Sequence, residues 1–210
     1  FLMNYRKTSF EEVADALADR GLAILDQFLD PEEQDSIFKS FNTFLEQEAF
    51  RRAGIGNSYL YTKDVSIRSD EIMWLADQPQ DPALAHFVAR IKDLMQELNA
   101  LLFLSLRDVE MHLALYSTGA HYDKHVDQFK NNGHRILSFA FYLNPDWQLG
   151  DGGELRVWNG DLFEDYAPLA GRLAIFRSDT VAHEVLEANK ERRSITGWML
   201  DRPKDYPIQE

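Results

Sequence analysis

The stretch Arg107–Asp127, RDVEMHLALYSTGAHYDKHVD, decides how this chain reads. From Arg107 to Tyr116 it alternates with period two. Val109, Met111, Leu113 and Leu115 fall on one side of an extended strand, and His112, Ala114 and Tyr116 on the other. A face of small and polar groups that also carries a tyrosine suits the wall of a cavity better than a packed core. A second short strand, 121–127, follows and contains His121, Asp123, His125 and Asp127, all of one parity.

Working outward, strand-like segments recur at 134–143, 153–158, 172–177, 181–187 and 192–200. They are separated by the turn signals Asn131-Asn132-Gly133, Asn144-Pro145-Asp146, Gly150-Asp151-Gly152-Gly153, Asn159-Gly160 and Gly171. Upstream the chain reads mainly as helix. Ser9-Phe10-Glu11-Glu12 has the form of a capping box and Gly21 is placed to end that helix. Residues 21–29 then look like a strand. Asp30-Pro31-Glu32-Glu33 opens a second helix with Ile37, Phe38, Phe41, Phe44 and Leu45 on its packing face. Asp81-Pro82 opens a third, burying Leu84, Phe87, Val88, Ile91, Leu94, Met95 and Leu98. Residues 51–70 are polar, glycine-containing and aperiodic, and read as a long loop that could cover a site. A helical front and an all-β back predict an α+β fold: a double-stranded β-helix (jelly roll, cupin-like) barrel with supporting N-terminal helices. One domain is expected. Its segments are 1–105 (helices, first strands and covering loop), 106–202 (the β core) and 203–210 (a tail).

The chain has 210 residues, 45% hydrophobic and 27% charged, which is enough for a substantial core. With 22 Lys and Arg against 35 Asp and Glu, its formal net charge is −13. That disfavours a nucleic-acid or anionic-membrane partner, since both need a basic surface. There is no cysteine, hence no disulfide, thiol nucleophile or zinc–thiolate site. No apolar run is long enough to span a bilayer. The opening residues lack a signal-peptide layout, so a cytoplasmic protein is the expectation; a monomer is expected.

Chemistry concentrates in the same strands. An H-x-D pair at 121–123 or 125–127 could meet His183, which sits in Asp179-Thr180-Val181-Ala182-His183-Glu184-Val185. Two imidazoles and one carboxylate on one face of a metal form the triad of non-haem Fe(II) oxygenases, which leaves coordination positions open. Spacing alone does not choose between the two pairs. Nine residues beyond His183, Arg192 shares a strand face with Ser194, Thr196 and Trp198, so it points into the cavity. Arg193 faces the other way. Ser138, Ala140 and Tyr142 likewise share a face opposite Leu137, Phe139 and Phe141. His86, His112 and His134 read as structural histidines.

These residues resemble the 2-oxoglutarate- and Fe(II)-dependent prolyl hydroxylases, most closely the branch of the animal hypoxia-sensing enzymes and their bacterial relatives. The resemblance is carried, in order, by His125-Val126-Asp127, Tyr142-Leu143-Asn144 before Trp147, Gly152-Gly153-Glu154-Leu155, His183-Glu184-Val185, and Arg192 with Ile195, Thr196 and Trp198. It implies Fe(II) on His125, Asp127 and His183, and so prefers that H-x-D pair. It also implies 2-oxoglutarate with its distal carboxylate on Arg192, Tyr142 and Thr196, Tyr116 near the metal end, and ascorbate as a candidate reductant. Asp70, in the Ile67-Arg68-Ser69-Asp70 segment leading to Trp74, is expected to pair with Arg135. Arg68, Asp70, Arg135 and Trp198 are expected at the substrate entrance. The implied substrate is a prolyl residue in a protein, with elongation factor Tu a candidate. Competing readings are a hydroxylase of another side chain or a free metabolite, a Zn or Mn cupin-type enzyme, and a non-catalytic jelly-roll binding module.

Overall fold

Each of three helices starts on a cap written in the sequence. In α1 (Phe10–Arg20), Ser9 Oγ accepts from the Glu12 N–H and Glu12 Oε2 accepts from the Ser9 N–H, while Gly21 closes the helix at φ 71°. In α2 (Pro31–Glu46), Asp30 and Glu33 form the same reciprocal box. In α3 (Pro82–Leu102), Asp81 accepts from the Leu84 N–H at 2.9 Å. Each such cap contributes about 1 kcal/mol. All seven residues expected on the buried side of α3 are buried.

The structure, a computed structural model, describes residues 9–54, 66–128 and 133–203. Its strands are β1 (Leu22–Leu25), β2 (Arg51–Arg52), β3 (Glu71–Trp74), β4 (Asp108–Tyr116), β5 (Tyr122–His125), β6 (Arg135–Tyr142), β7 (Leu155–Asn159), β8 (Leu162–Tyr166), β9 (Leu173–Arg177), β10 (Ala182–Val185) and β11 (Arg192–Leu200). They form two antiparallel sheets, a major one ordered β1-β9-β6-β11-β4-β3-β2 and a minor one ordered β5-β10-β7-β8. This is the expected jelly roll, built as two separate sheets with no closed barrel among the described residues. The outer face of the major sheet carries Leu113, Phe139, Phe141, Ile175 and Ile195. It packs with the helices, as in the Phe87–Phe141 contact at 5.1 Å between ring centroids. The inner face is left for the cavity.

Three expectations need correction. The strand read at 21–29 stops at Leu25, because Asp26 turns out to pair with Arg172 and Gln27 takes φ 57°. Strand β8 was not anticipated. It is an edge strand with Leu162 and Phe163 exposed, so Leu-Phe-Glu-Asp-Tyr carries no buried alternation. The region read as a loop at 51–70 begins as β2, paired to β3, and ends as a segment bridged to β5 through Arg68 and Tyr122. Its central part, 55–65, lies outside the described residues. No described helix is long and apolar enough to cross a membrane.

Candidate active site

Strand β11 is the spine of the site. Its register lays out rungs across the inner face of the major sheet: Arg192 against Tyr116, then Ser194 against Ala114 and Tyr142. Next come Thr196 against His112 and Ala140, and Trp198 against Glu110 and Ser138. The cavity between the sheets is lined by His112, Ala114, Tyr116, Ser138, Ala140, Arg192, Thr196 and Trp198 from this side. His125, Leu155, His183 and Val185 face them from the minor sheet. The period-two reading of these strands therefore holds.

Two strands of the minor sheet bring the candidate ligands together. His125 on β5 is the register partner of His183 on β10, and Asp127 lies just past the end of β5. The ligating atoms of His125, Asp127 and His183 all lie within 4.8 Å of one another. Each imidazole uses Nδ1 on a backbone carbonyl: His125 on Asp123 at 2.7 Å and His183 on Val181 at 3.1 Å. Assigning the proton to those nitrogens leaves both Nε2 lone pairs facing the carboxylate, at 3.4 Å and 3.7 Å. Burial, reinforced by the neighbouring His125, lowers the His183 pKa to about 4, so the ring is neutral near pH 7. Burial works against the charge of Asp127, yet His183, His125 and Arg135 hold its carboxyl well below the usual carboxylate range. Two imidazoles and one ionised carboxylate fit a divalent ion such as Fe(II). The rival pair sits elsewhere. His121 Nε2 contacts the Ser66 carbonyl at 3.2 Å, and the Asp123 side chain is 56% exposed.

Arg192 is only 3% exposed, and among the described residues no carboxylate pairs with it. Its Nε donates to the Gly153 carbonyl at 2.9 Å and its Nη1 to Ser194 Oγ at 3.1 Å. Its Cζ lies 4.7 Å from the Tyr116 ring centroid and 5.0 Å from that of Tyr142. The Tyr142 hydroxyl is buried beside Arg192 with no well-formed hydrogen bond among the described residues, and burial pushes its pKa up against the opposing pull of Arg192, so it stays a neutral donor. A buried guanidinium beside an unpartnered hydroxyl fits a ligand carboxylate. Gly153, at φ +73°, is required here, since a Cβ would stand 2.9 Å from Arg192 Cδ. Arg193 projects to the helical side, against Glu191, Asn42 and the rings of Phe38 and Phe41. Tyr116, expected toward the metal end, is the register partner of Arg192 and sits against it.

The expected Asp70–Arg135 pair is replaced by two others. Arg68 donates from Nε and Nη2 to both oxygens of buried Asp70, at 2.6 and 2.9 Å. Arg135 takes Glu110 at 2.7 Å and lies 3.6 Å from the Trp198 ring centroid. The exchange follows from local geometry: Arg68 is two residues from Asp70, and Glu110 is the register partner of Trp198. Of the three histidines read as structural, His86 pairs with Glu33 and His134 with Asp201. His112 is different, with Nδ1 buried and without a hydrogen-bond partner among the described residues, in the cavity wall between Trp74 and Trp198. Sequence reasoning also missed Tyr122. Tyr122 pairs with Val185 and His125 with His183, so β5 carries one extra residue and both side chains face the cavity. Strict alternation hides that.

The model of the 2OG-Fe(II) oxygenase superfamily matches residues 111–200, the span holding the triad and Arg192. A prolyl-4-hydroxylase from Pseudomonas putida is 34% identical, covering 92% of this chain and 99% of that one, with a TM-score of 0.84. A prolyl hydroxylase from Trichoplax adhaerens, solved with a peptide fragment of the hypoxia inducible factor oxygen degradation domain, has the same fold. Its TM-score is 0.84 at 23% identity, over 91% of this chain and 90% of that one. A prolyl 4-hydroxylase from Phytophthora capsici shares the fold at TM-score 0.68 and 24% identity, over 90% of this chain and 62% of that one. The chain is a member of the 2OG-Fe(II) oxygenase superfamily, an enzyme family that works with Fe(II) and 2-oxoglutarate.

Proposed function

We propose that this enzyme hydroxylates a prolyl residue in a polypeptide, converting 2-oxoglutarate and O₂ to succinate and CO₂ as one oxygen atom enters the substrate. In this reading His125, Asp127 and His183 hold Fe(II), which when bound supplies the oxidising chemistry. The observation that carries it is the buried Arg192, which has no carboxylate partner among the described residues and opens on the same cavity as the triad. Arg192 and the Tyr142 hydroxyl take the distal carboxylate of 2-oxoglutarate, with Thr196 beside them. A fork-shaped guanidinium fixes the direction of the co-substrate as well as binding it. Tyr116 packs along its length. Leu155, Phe176 and Val185 line the cavity around the triad and keep water from the reacting centre.

The substrate enters past Arg68, Asp70, Arg135 and Trp198, with Trp198 presenting an aromatic face backed by the Arg135 guanidinium. The 34% identity to a bacterial prolyl-4-hydroxylase along nearly its whole length supports a prolyl target. Elongation factor Tu, in the cytoplasm, is the candidate partner. The test is to incubate iron-loaded enzyme with 2-oxoglutarate and purified elongation factor Tu, then map peptides by mass spectrometry. One added oxygen on a proline is expected. Oxygen on another residue type, or succinate formed only with free metabolites, contradicts the reading.

A further inference from the structure

The two histidines of the triad are held in different ways. His183 is 5% exposed, lies on an inner strand, and has Phe176 against its ring at 4.6 Å. His125 lies on β5, an edge strand of four residues with an irregular register, and its side chain is 18% exposed. An edge ligand with one hydrogen bond to a backbone carbonyl keeps freedom to swing about that bond. Something must fix the plane of the ring. The Tyr122 ring stacks on it, with centroids 3.7 Å apart and planes 19° from parallel. The Arg68 guanidinium lies 4.7 Å from the Tyr122 centroid. With one face of the phenol ring taken by the imidazole, the guanidinium must occupy the other.

Arg68 is itself fixed, forked onto Asp70, which is 1% exposed. Its segment is stitched to β5 by the Arg68–Tyr122 bridge, by the Ser69 N–H to the His121 carbonyl, and by the Asp123 N–H to the Ile67 carbonyl. A buried anion thus holds a cation, the cation holds a ring, and the ring holds a ligand.

We propose that Tyr122 is a positioning residue for the metal centre. Clamped by Arg68 and Asp70, it orients His125, so that docking of the segment at 66–70 sets the affinity of the triad for its ion. This rests on reading His125, Asp127 and His183 as the metal site. Outer groups that orient a ligand typically change metal affinity by about 10- to 100-fold. Replacing the stack should therefore weaken the ion without removing a ligand.

The experiment is calorimetric titration of Mn(II) alone into the metal-free full chain, with melting temperatures recorded on the same samples. Tyr122→Phe keeps the ring and should bind within about twofold of wild type. Tyr122→Leu should bind at least about tenfold more weakly at an unchanged metal-free melting temperature. Arg68→Lys keeps a charge on Asp70 but removes the planar group from the ring, and should weaken Mn(II) by about two- to fivefold. It also serves if Tyr122→Leu fails to fold. Wild-type affinity in both Tyr122→Leu and Arg68→Lys overturns the proposal while leaving the metal site standing. Equal weakening by Tyr122→Phe and Tyr122→Leu also overturns it, since the hydroxyl and not the stacked ring would then be responsible. Failure of wild type to bind Mn(II) overturns the metal reading itself and this proposal with it.

Discussion

The two sheets of this enzyme divide its chemistry and differ in how they are built. The major sheet has seven strands among the described residues, with long registers where β11 pairs β4 and β6, and its outer face packs with the helices. On its inner face it carries Arg192, Tyr142 and Thr196, the groups assigned to the co-substrate. The minor sheet has four short strands, a bulge between β5 and β10, and an exposed edge hairpin, yet it holds both histidines of the triad. The helix-backed half therefore offers a carboxylate donors set by strand register. The other half offers ligands that local contacts aim: backbone carbonyls on each Nδ1, Phe176 on His183 and Tyr122 on His125. An anchor can be part of a core, whereas an open metal site needs access from solvent and from substrate.

That division can be broken experimentally. The largest effect expected is complete loss of metal binding in His183→Ala, measured by Mn(II) calorimetry. His121→Ala, outside the cluster, should bind as wild type. Next, Phe141→Ala on the sealed face of the major sheet should cost about 3–5 kcal/mol of stability by denaturant unfolding. If it also weakens Mn(II) in the folded protein, the two halves are more tightly coupled than proposed. A third test uses pH. His183 is neutral when folded, with a pKa near 4, but takes up a proton near 6.5 when unfolded. The unfolded state then binds more protons between those values, so the stability of metal-free protein should fall as pH drops from about 6.5 to 4. Asp127 is ionised in both states over most of that window and adds little there. His183→Gln should make the slope shallower, leaving the part due to His112, whose pKa burial also lowers, and a slope unchanged in that variant contradicts the assignment. The smallest effect is reserved for Arg193→Ala, which faces the helices and should leave 2-oxoglutarate affinity within about twofold of wild type.

Period-two alternation made much of the major sheet legible in advance. Val109 to Leu115 against His112 to Tyr116, and Arg192 against Arg193, are separated by strand parity alone, because a strand buried on both faces still distinguishes core from cavity. Helix caps at Ser9, Asp30 and Asp81 were legible for a different reason: their hydrogen bonds close within three residues. The choice of His125 and Asp127 over His121 and Asp123 was not, since all four share parity, and only the family pattern pointed to it. Tyr122 was hidden by the bulge, which shifts it to the face of His125. The partner of Asp70 was misjudged because the nearby Arg68 outcompetes the distant Arg135, a matter of chain geometry that a motif does not record. Edge strand β8 has no buried side to produce a pattern.

The account stands or falls on whether Arg192 and the triad serve one bound co-substrate. The direct measurement is calorimetric titration of 2-oxoglutarate into Mn(II)-loaded wild type and Arg192→Ala, with Mn(II) affinity determined separately for each. Removing the partner of a partly buried carboxylate costs about 2–5 kcal/mol. The account therefore predicts at least a tenfold loss of 2-oxoglutarate affinity, with Mn(II) affinity retained and 2-oxoglutarate binding in wild type dependent on the metal. Equal 2-oxoglutarate affinity in the two proteins, or wild-type binding that ignores Mn(II), would contradict it.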